Sequence, residues 1–215
     1  MAKLLLPVTM VLFFLCVAFV WGEVSLGVKK GDWIEYQVST TGTPEDGHDV
    51  IWVRMEILDI AGGDISVNVI TKDPNGTFNS GVMVLNPSRG EVGVWFIIPA
   101  NLDLGDEFYD AEEDEYVDIE VSEQRSVAGA SRTITQKSIP ERIKSWDKST
   151  GVFVGSIDTL ENYTLTAHAY RTNMWNSQIF GVDSNFFYLA TMVFIVTILV
   201  VMLGVYYKKK KKPSE

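Results

Sequence analysis

Apolar and polar residues alternate with a period of two along much of the middle of the chain. Ile34, Tyr36 and Val38 alternate with Glu35, Gln37 and Ser39. Ile51, Val53, Met55 and Ile57 alternate with Trp52, Arg54 and Glu56, and Ile65, Val67 and Val69 with Ser66 and Asn68. Val117, Ile119 and Val121 alternate with Asp118, Glu120 and Ser122, and Tyr163, Leu165, Ala167 and Ala169 with Thr164, Thr166 and His168. Successive side chains of a strand point to opposite faces, so each run predicts a half-buried strand. Residues 82–85 and 92–98 are apolar on both faces, which predicts strands that lie centrally or under a cover. Gly, Pro, Asn and Asp clusters predict turns at 62–64, 73–76, 86–90 and 147–151. No stretch between the terminal apolar runs keeps a helical period; short helical turns are expected around 99–102 or 140–144. The pattern predicts an all-β domain, an antiparallel sandwich or half-barrel of roughly ten strands. Residues 26–33 and 102–109 also echo one another, each a Gly-Asp turn leading into an aromatic strand.

Two apolar runs at the ends have a different character. Residues 4–20, preceded by Lys3 and followed by Gly22, match the flanks and length of a secretory signal peptide. Seventeen apolar residues would also serve as a short uncleaved anchor. Residues 186–207 hold no charged side chain, and 22 helical residues reach about 33 Å, enough to cross the hydrocarbon of a bilayer. Phe186, Phe187 and Tyr188 at one end and Tyr206 and Tyr207 at the other suit the two membrane interfaces. Lys208, Lys209, Lys210, Lys211 and Lys212 form a stop-transfer cluster that assigns this end to the cytoplasm. The span has neither an ionisable residue nor a GxxxG face, which predicts a plain anchor. The expected organisation is a signal peptide at 1–22, an extracytoplasmic β-domain at 23–172, a juxtamembrane linker at 173–185, a transmembrane helix at 186–207 and a basic tail at 208–215.

Charge then acquires a location. The chain carries −10 overall, but residues 23–185 hold 12 basic and 27 acidic residues, a formal −15. Such a domain lacks the basic face that nucleic acid requires. The single cysteine, Cys16, falls inside the N-terminal apolar run. The domain therefore has no disulfides to lean on, which suits bacterial or archaeal envelopes better than disulfide-rich secreted scaffolds.

Candidate chemistry is sparse. Asp110, Glu112, Glu113, Asp114 and Glu115 form an acidic cluster that would suit weak Ca²⁺ binding, although no glycine stands where an EF-hand loop needs one. Asn75 and Asn162 begin glycosylation sequons, while Asn86-Pro87-Ser88 is excluded by its proline. Neither His48 nor His168 sits in a catalytic motif, and no Gly-x-Ser-x-Gly elbow occurs. Trp52 falls on the polar face of its strand, which predicts partial cover on that second face.

Three phrases carry a resemblance: residues 28–36 (VKKGDWIEY), 98–106 (IPANLDLGD) and 146–154 (WDKSTGVFV). Together with the terminal segments they resemble archaeal single-pass surface proteins with a signal peptide, one β-rich ectodomain and a C-terminal membrane anchor. The Asp-x-x-Thr-Gly-Val hairpin is also similar to a turn in half-barrel envelope proteins of the lipoprotein-carrier type. Neither resemblance transfers a functional residue. The expected function is a binding or structural role at the cell envelope rather than catalysis, without a cofactor. The expected partners are the lipid bilayer, another envelope protein or an apolar ligand. In the last case a half-barrel would hold the ligand on a concave face including Trp95, Phe96 and Ile98.

Overall fold

A computed structural model describes residues 26–44, 49–179 and 182–210. Four strands come first: β1 (Trp33–Gly42), β2 (Trp52–Ala61), β3 (Asp64–Lys72) and β4 (Phe78–Leu85). A short hairpin follows, β5 (Glu107–Asp110) and β6 (Glu115–Asp118). The second series is β7 (Val121–Val127), β8 (Ala130–Ile139), β9 (Arg142–Asp147), β10 (Phe153–Thr159) and β11 (Tyr163–Thr172). A two-residue-strand hairpin, β12 (Gln178–Ile179) and β13 (Val182–Asp183), leads into helix α1 (Ser184–Lys210).

The two series are antiparallel meanders joined where β1 pairs with β11, giving one nine-stranded sheet of order β4-β3-β2-β1-β11-β10-β9-β8-β7. Strand periodicity explains which face is apolar. Tyr36 lies opposite Val53 and Ala169, and Met55 opposite Val69, so the alternating residues of β1, β2, β3 and β11 gather on one side. Laid flat, nine strands would span about 40 Å. Their inward residues nevertheless belong to one core, from Leu85 on β4 to Trp146 on β9, so the sheet wraps round its contents as an open half-barrel. Its edges β4 and β7 do not pair.

The contents are the segment between β4 and β5 together with the β5–β6 hairpin. Val92, Trp95, Ile97, Ile98, Phe108, Val117 and Ile119 are all buried against the sheet. Residues 92–98, expected as a strand, are instead irregular chain with isolated bridges and turns: this stretch is apolar on all sides because it is itself the cover. Gly93 (φ 54°), Val94 (φ 50°) and Trp95 (φ 69°) are consecutively left-handed, a conformation that cannot enter a ladder. Residues 82–85 are corrected likewise. They lie in the edge strand β4, with Val82 and Val84 65% and 55% exposed. The expected strand through residues 116–122 is broken between β6 and β7, and the expected helical turn at 140–144 is a hairpin turn leading into β9.

The echo between 26–33 and 102–109 is reproduced bond by bond. Lys29 N donates to Asp32 Oδ2 (2.9 Å) and Asp103 N to Asp106 Oδ2 (2.7 Å). Gly31 N donates to Ile57 O and Gly105 N to Ile119 O, while Ile57 N and Ile119 N each return a bond to the aspartate carbonyl. Similar turn chemistry thus seats two different strands, each beside a buried isoleucine.

Cover and sheet are locked together at the β9–β10 turn. Trp146 is fully buried, with ring centroids 5.8 Å from Trp95 and 5.9 Å from Phe108, and its Nε1 donates to Trp95 O (2.8 Å). The next residue, Asp147, is 0% exposed. Its carboxylate accepts from Arg132 Nε (2.7 Å), Ser149 Oγ (2.7 Å), Thr150 N (3.0 Å) and Thr150 Oγ1 (2.9 Å). Gly151, at φ 70°, lets the turn approach the cover; a Cβ there would lie 2.0 Å from Ile98 O. Beside it, Lys148 pairs with Asp103.

Helix α1 follows the β12–β13 hairpin, which with the preceding Trp175 is tied to the β7–β8 end of the sheet. Trp175 Nε1 donates to Val127 O (3.2 Å), Gln178 N to Gly129 O (2.7 Å), and Arg132 lies 4.8 Å over the Trp175 ring. Asp183 Oδ1 caps the helix by accepting from the Asn185 and Phe186 amides. Residues Ser184–Leu203 have mean hydropathy 2.7 and no buried side chain, and are long and apolar enough to cross a membrane. Thr191 and Thr197 return their hydroxyls to Phe187 O and Val193 O, so neither threonine leaves its hydroxyl donor unsatisfied. The helix backbone runs through Tyr206, Tyr207, Lys208, Lys209 and Lys210; Lys211, Lys212 and the expected signal peptide lie outside the described residues.

Burial opposes ionisation of Asp147, but the bonds from Arg132, Ser149 and Thr150 and the Arg132 charge outweigh it and hold the carboxyl below its usual range. The hydrogen bond from Lys148, more than any other contact, holds the pKa of the exposed Asp103 at about 2. A folded-state pKa below the unfolded value adds stability that is complete above about pH 4 and lost as pH falls through the folded value. Melting curves of the full chain between about pH 5 and about pH 2 should therefore show a midpoint that falls less steeply in Asp147→Asn than in the parent. Parallel slopes would contradict the assignment. Asp147→Ala, which leaves Arg132 without its carboxylate partner, should cost about 3 kcal/mol.

Candidate functional site

The cover fills only the half of the sheet's inner face nearest the β7–β8 turn. The other half, towards the β10–β11 and β3–β4 turns, is an open groove of about 270 Å³. Its floor comes from alternating strand residues: Tyr36 and Val38 on β1, Val53 on β2, Val69 on β3, and Leu165 and Ala167 on β11. Val94 and Phe96 form the wall on the cover side, and Val50, Phe153, Thr71 and Ser156 complete much of the rest. Tyr36 anchors the floor: its hydroxyl donates to Phe153 O (2.8 Å), and burial raises its pKa well above the usual phenol range.

Two charged residues enter this apolar lining, Lys144 and Asp158. Lys144 shares a strand face with the fully buried Trp146, which forces its side chain inward. Its Nζ donates to Val94 O (3.1 Å) and lies 4.9 Å from the centre of the Trp95 ring. Asp158 accepts from Ser156 Oγ (2.8 Å) and lies 3.9 Å from Arg142 Nε. Loss of hydration pushes the Lys144 ammonium below its usual pKa, partly opposed by the charge of Asp158.

A second recess of about 310 Å³ lies against β7 to β11 and contains His168. Ser145, Ser156 and Thr166 also line it, but no carboxylate does, so a Ser-His-carboxylate set is not assembled there. Gln136 donates to Ser145 Oγ (2.7 Å) and Arg125 to Gln136 Oε1 (3.0 Å), which ties these polar groups to one another. His48 lies outside the described residues.

The acidic cluster is dispersed by the β5–β6 hairpin. Asp110 is buried and accepts from Trp95 Nε1 and the Glu112 amide, and Asp114 accepts from Tyr109 Oη (2.6 Å). Glu112, Glu113 and Glu115 are exposed. Among the described residues no group of three or more His, Cys, Asp or Glu is placed to hold a metal, so the hairpin does not gather the carboxylates named for Ca²⁺ into one set. Asn75 and Asn162 are both exposed, in the β3–β4 and β10–β11 turns, at the end of the sheet opposite the β7–β8 turn. Of the expected ligand contacts, Phe96 lines the groove, whereas Trp95 and Ile98 are buried in the core and all three belong to the cover rather than the sheet. Trp52 is partly covered as expected, through a bond to Tyr170 Oη (3.0 Å) and an edge contact with Phe78.

The sequence reading missed Lys144 and Asp158. Placing Trp146 inward and counting back by two would have found Lys144.

No family model and no curated protein matches the chain. Among solved structures, one described as the siderocalin Ex-FABP, which functions through dual ligand specificities, is similar at 12% identity. The match covers 65% of this chain and 70% of that one, with a TM-score of 0.23.

Val94 is β-branched, left-handed and 65% exposed. Left-handed backbone costs a β-branched residue more than asparagine. Val94→Asn should thus stabilise the domain by about 1 kcal/mol, seen as a higher urea midpoint at unchanged slope. A decrease would show that the side chain contributes more by packing than its conformation costs.

Proposed function

We propose that this is a single-pass membrane protein whose β-domain lies outside the cytoplasm and binds an apolar chain in the groove. The observation that carries the reading is the groove itself: a ready-formed, mostly apolar concavity that the cover leaves open. Binding rather than catalysis is its role, with no cofactor. The resemblance to archaeal single-pass surface proteins agrees with this reading.

Orientation follows from the ends of the span. Lys208 to Lys212 stay in the cytoplasm, Phe186, Phe187 and Tyr188 lie at the outer interface, and Tyr206 and Tyr207 at the inner one. Residues 1–22 direct export. The hairpin bonded to the β7–β8 turn holds that end of the domain nearest the bilayer. The groove then opens towards the far end, where Asn75 and Asn162 are placed to carry glycans clear of the membrane.

The test is photo-crosslinking of the full chain in lipid nanodiscs with a neutral, diazirine-bearing long-chain alcohol. Adducts are expected at Val38, Val53 and Leu165, with those on helix α1 as an internal standard. Ala167→Trp should abolish the groove adducts and spare the helix adducts. Labelling confined to the helix in the parent chain would overturn the reading.

A further inference from the structure

The groove contains a cation without an acidic partner. Lys144 is half-buried, its Nζ bonded to a backbone carbonyl and set over an indole. Among the described residues no carboxylate lies within ion-pair distance of it. Desolvating an ammonium is costly unless an anion compensates. Asp158, the acidic residue lining the same groove, is engaged elsewhere, by the Ser156 hydroxyl and by Arg142 at 3.9 Å. Arg142 adds to the positive charge near Lys144 while Asp158 and the buried Asp110 oppose it, yet neither carboxylate bonds to Lys144: Asp158 is held by Ser156 and Asp110 by the Trp95 indole and the Glu112 amide.

Resting on the apolar-chain reading above, we propose that the groove selects a single-chain amphiphile with a carboxylate head, a free long-chain fatty acid, and that Lys144 binds the head. The chain would lie over Val38, Val53, Val69 and Leu165. The carboxylate would accept from Lys144 Nζ in place of, or beside, Val94 O. Two features favour a free acid over a phospholipid. A groove of about 270 Å³ lies at the small end for ligand sites and suits one chain rather than two. It also sits at the end of the domain away from the juxtamembrane hairpin, where a monomer would arrive from outside rather than from the anchoring bilayer.

The experiment is competition on the full chain in nanodiscs. A bound neutral fluorescent chain is displaced at neutral pH by a saturated fatty acid, by the alcohol of equal length, and by a two-chain anionic phospholipid. A charge-assisted bond from Lys144 predicts that the acid displaces roughly ten-fold better than the alcohol. Lys144→Met should bring the acid down to the alcohol without changing the alcohol, and Lys144→Arg should keep the preference. Because partition into the disc is common to all variants, their acid-to-alcohol ratios compare directly. Lys144→Gln gives the same comparison should the Met variant fail to melt cooperatively.

Equal displacement by acid and alcohol in the parent chain would overturn the head-group assignment and leave the apolar groove standing. A preference that survives in Lys144→Met and Lys144→Gln would overturn the role of Lys144. Phospholipid competing as well as the free acid would overturn the single-chain claim. Failure of every competitor and of the neutral probe to bind would overturn the groove reading and this inference with it.

Discussion

A single large sheet with one apolar face has to cover that face, and among the described residues no second sheet of comparable size does it. The half-barrel meets this constraint with its own chain. The two meanders are separated in sequence by the segment running from β4 through the β5–β6 hairpin to β7, and that segment folds into the trough between them. The contact that fixes it is the Trp146–Asp147 pair. Trp146 packs on Trp95 and Phe108 of the cover, and Asp147 holds the adjoining turn rigid enough for Gly151 to touch the Ile98 carbonyl. Buried carboxylates cost free energy to desolvate, and this one is compensated by a bidentate arginine and by hydroxyl and amide donors.

The same cover explains the site. It is shorter than the trough it fills, so one half becomes core and the other half an open groove. Val94 and Trp95 take the left-handed backbone needed to turn the chain back at this boundary. Trp95 points into the core and bonds Asp110, while Val94 faces the groove and gives its carbonyl to Lys144. Core and candidate site therefore share a wall, and a change at the wall will be felt on both sides.

Outside the trough the surface is divided. The β7 edge carries Glu123 and Arg125, charges of the kind that discourage strand addition, whereas β4 presents Val82 and Val84 with no charged residue. On the outer face Glu35 is buried among Arg54, Tyr170 and Arg171, and Trp33 lies under Arg54. This cluster explains why a tryptophan and an acid can both stand on a nominally polar face.

What could be read from the residues alone follows from local physics. Period-two alternation identified β1, β2, β3 and β11, turn residues identified the β2–β3, β3–β4 and β9–β10 hairpins, and 22 uncharged residues followed by lysines identified the helix. These features are legible because each depends on neighbours a few positions away. Residues 92–98 were not legible, because a short apolar run reads alike as a central strand or as a plug. Nor were Lys144 as a groove residue, Asp110 as an indole partner, or the dispersal of the acidic cluster. Each depends on what lies opposite across a sheet that closes through residues more than a hundred positions apart, such as Ile34 and Thr172. The sequence by itself determined an all-β domain with one apolar face and a helix long and apolar enough to cross a membrane. Only the tertiary structure decided how far the cover reaches, because the length of a plug relative to its trough is a property of the assembled sheet and of no local segment.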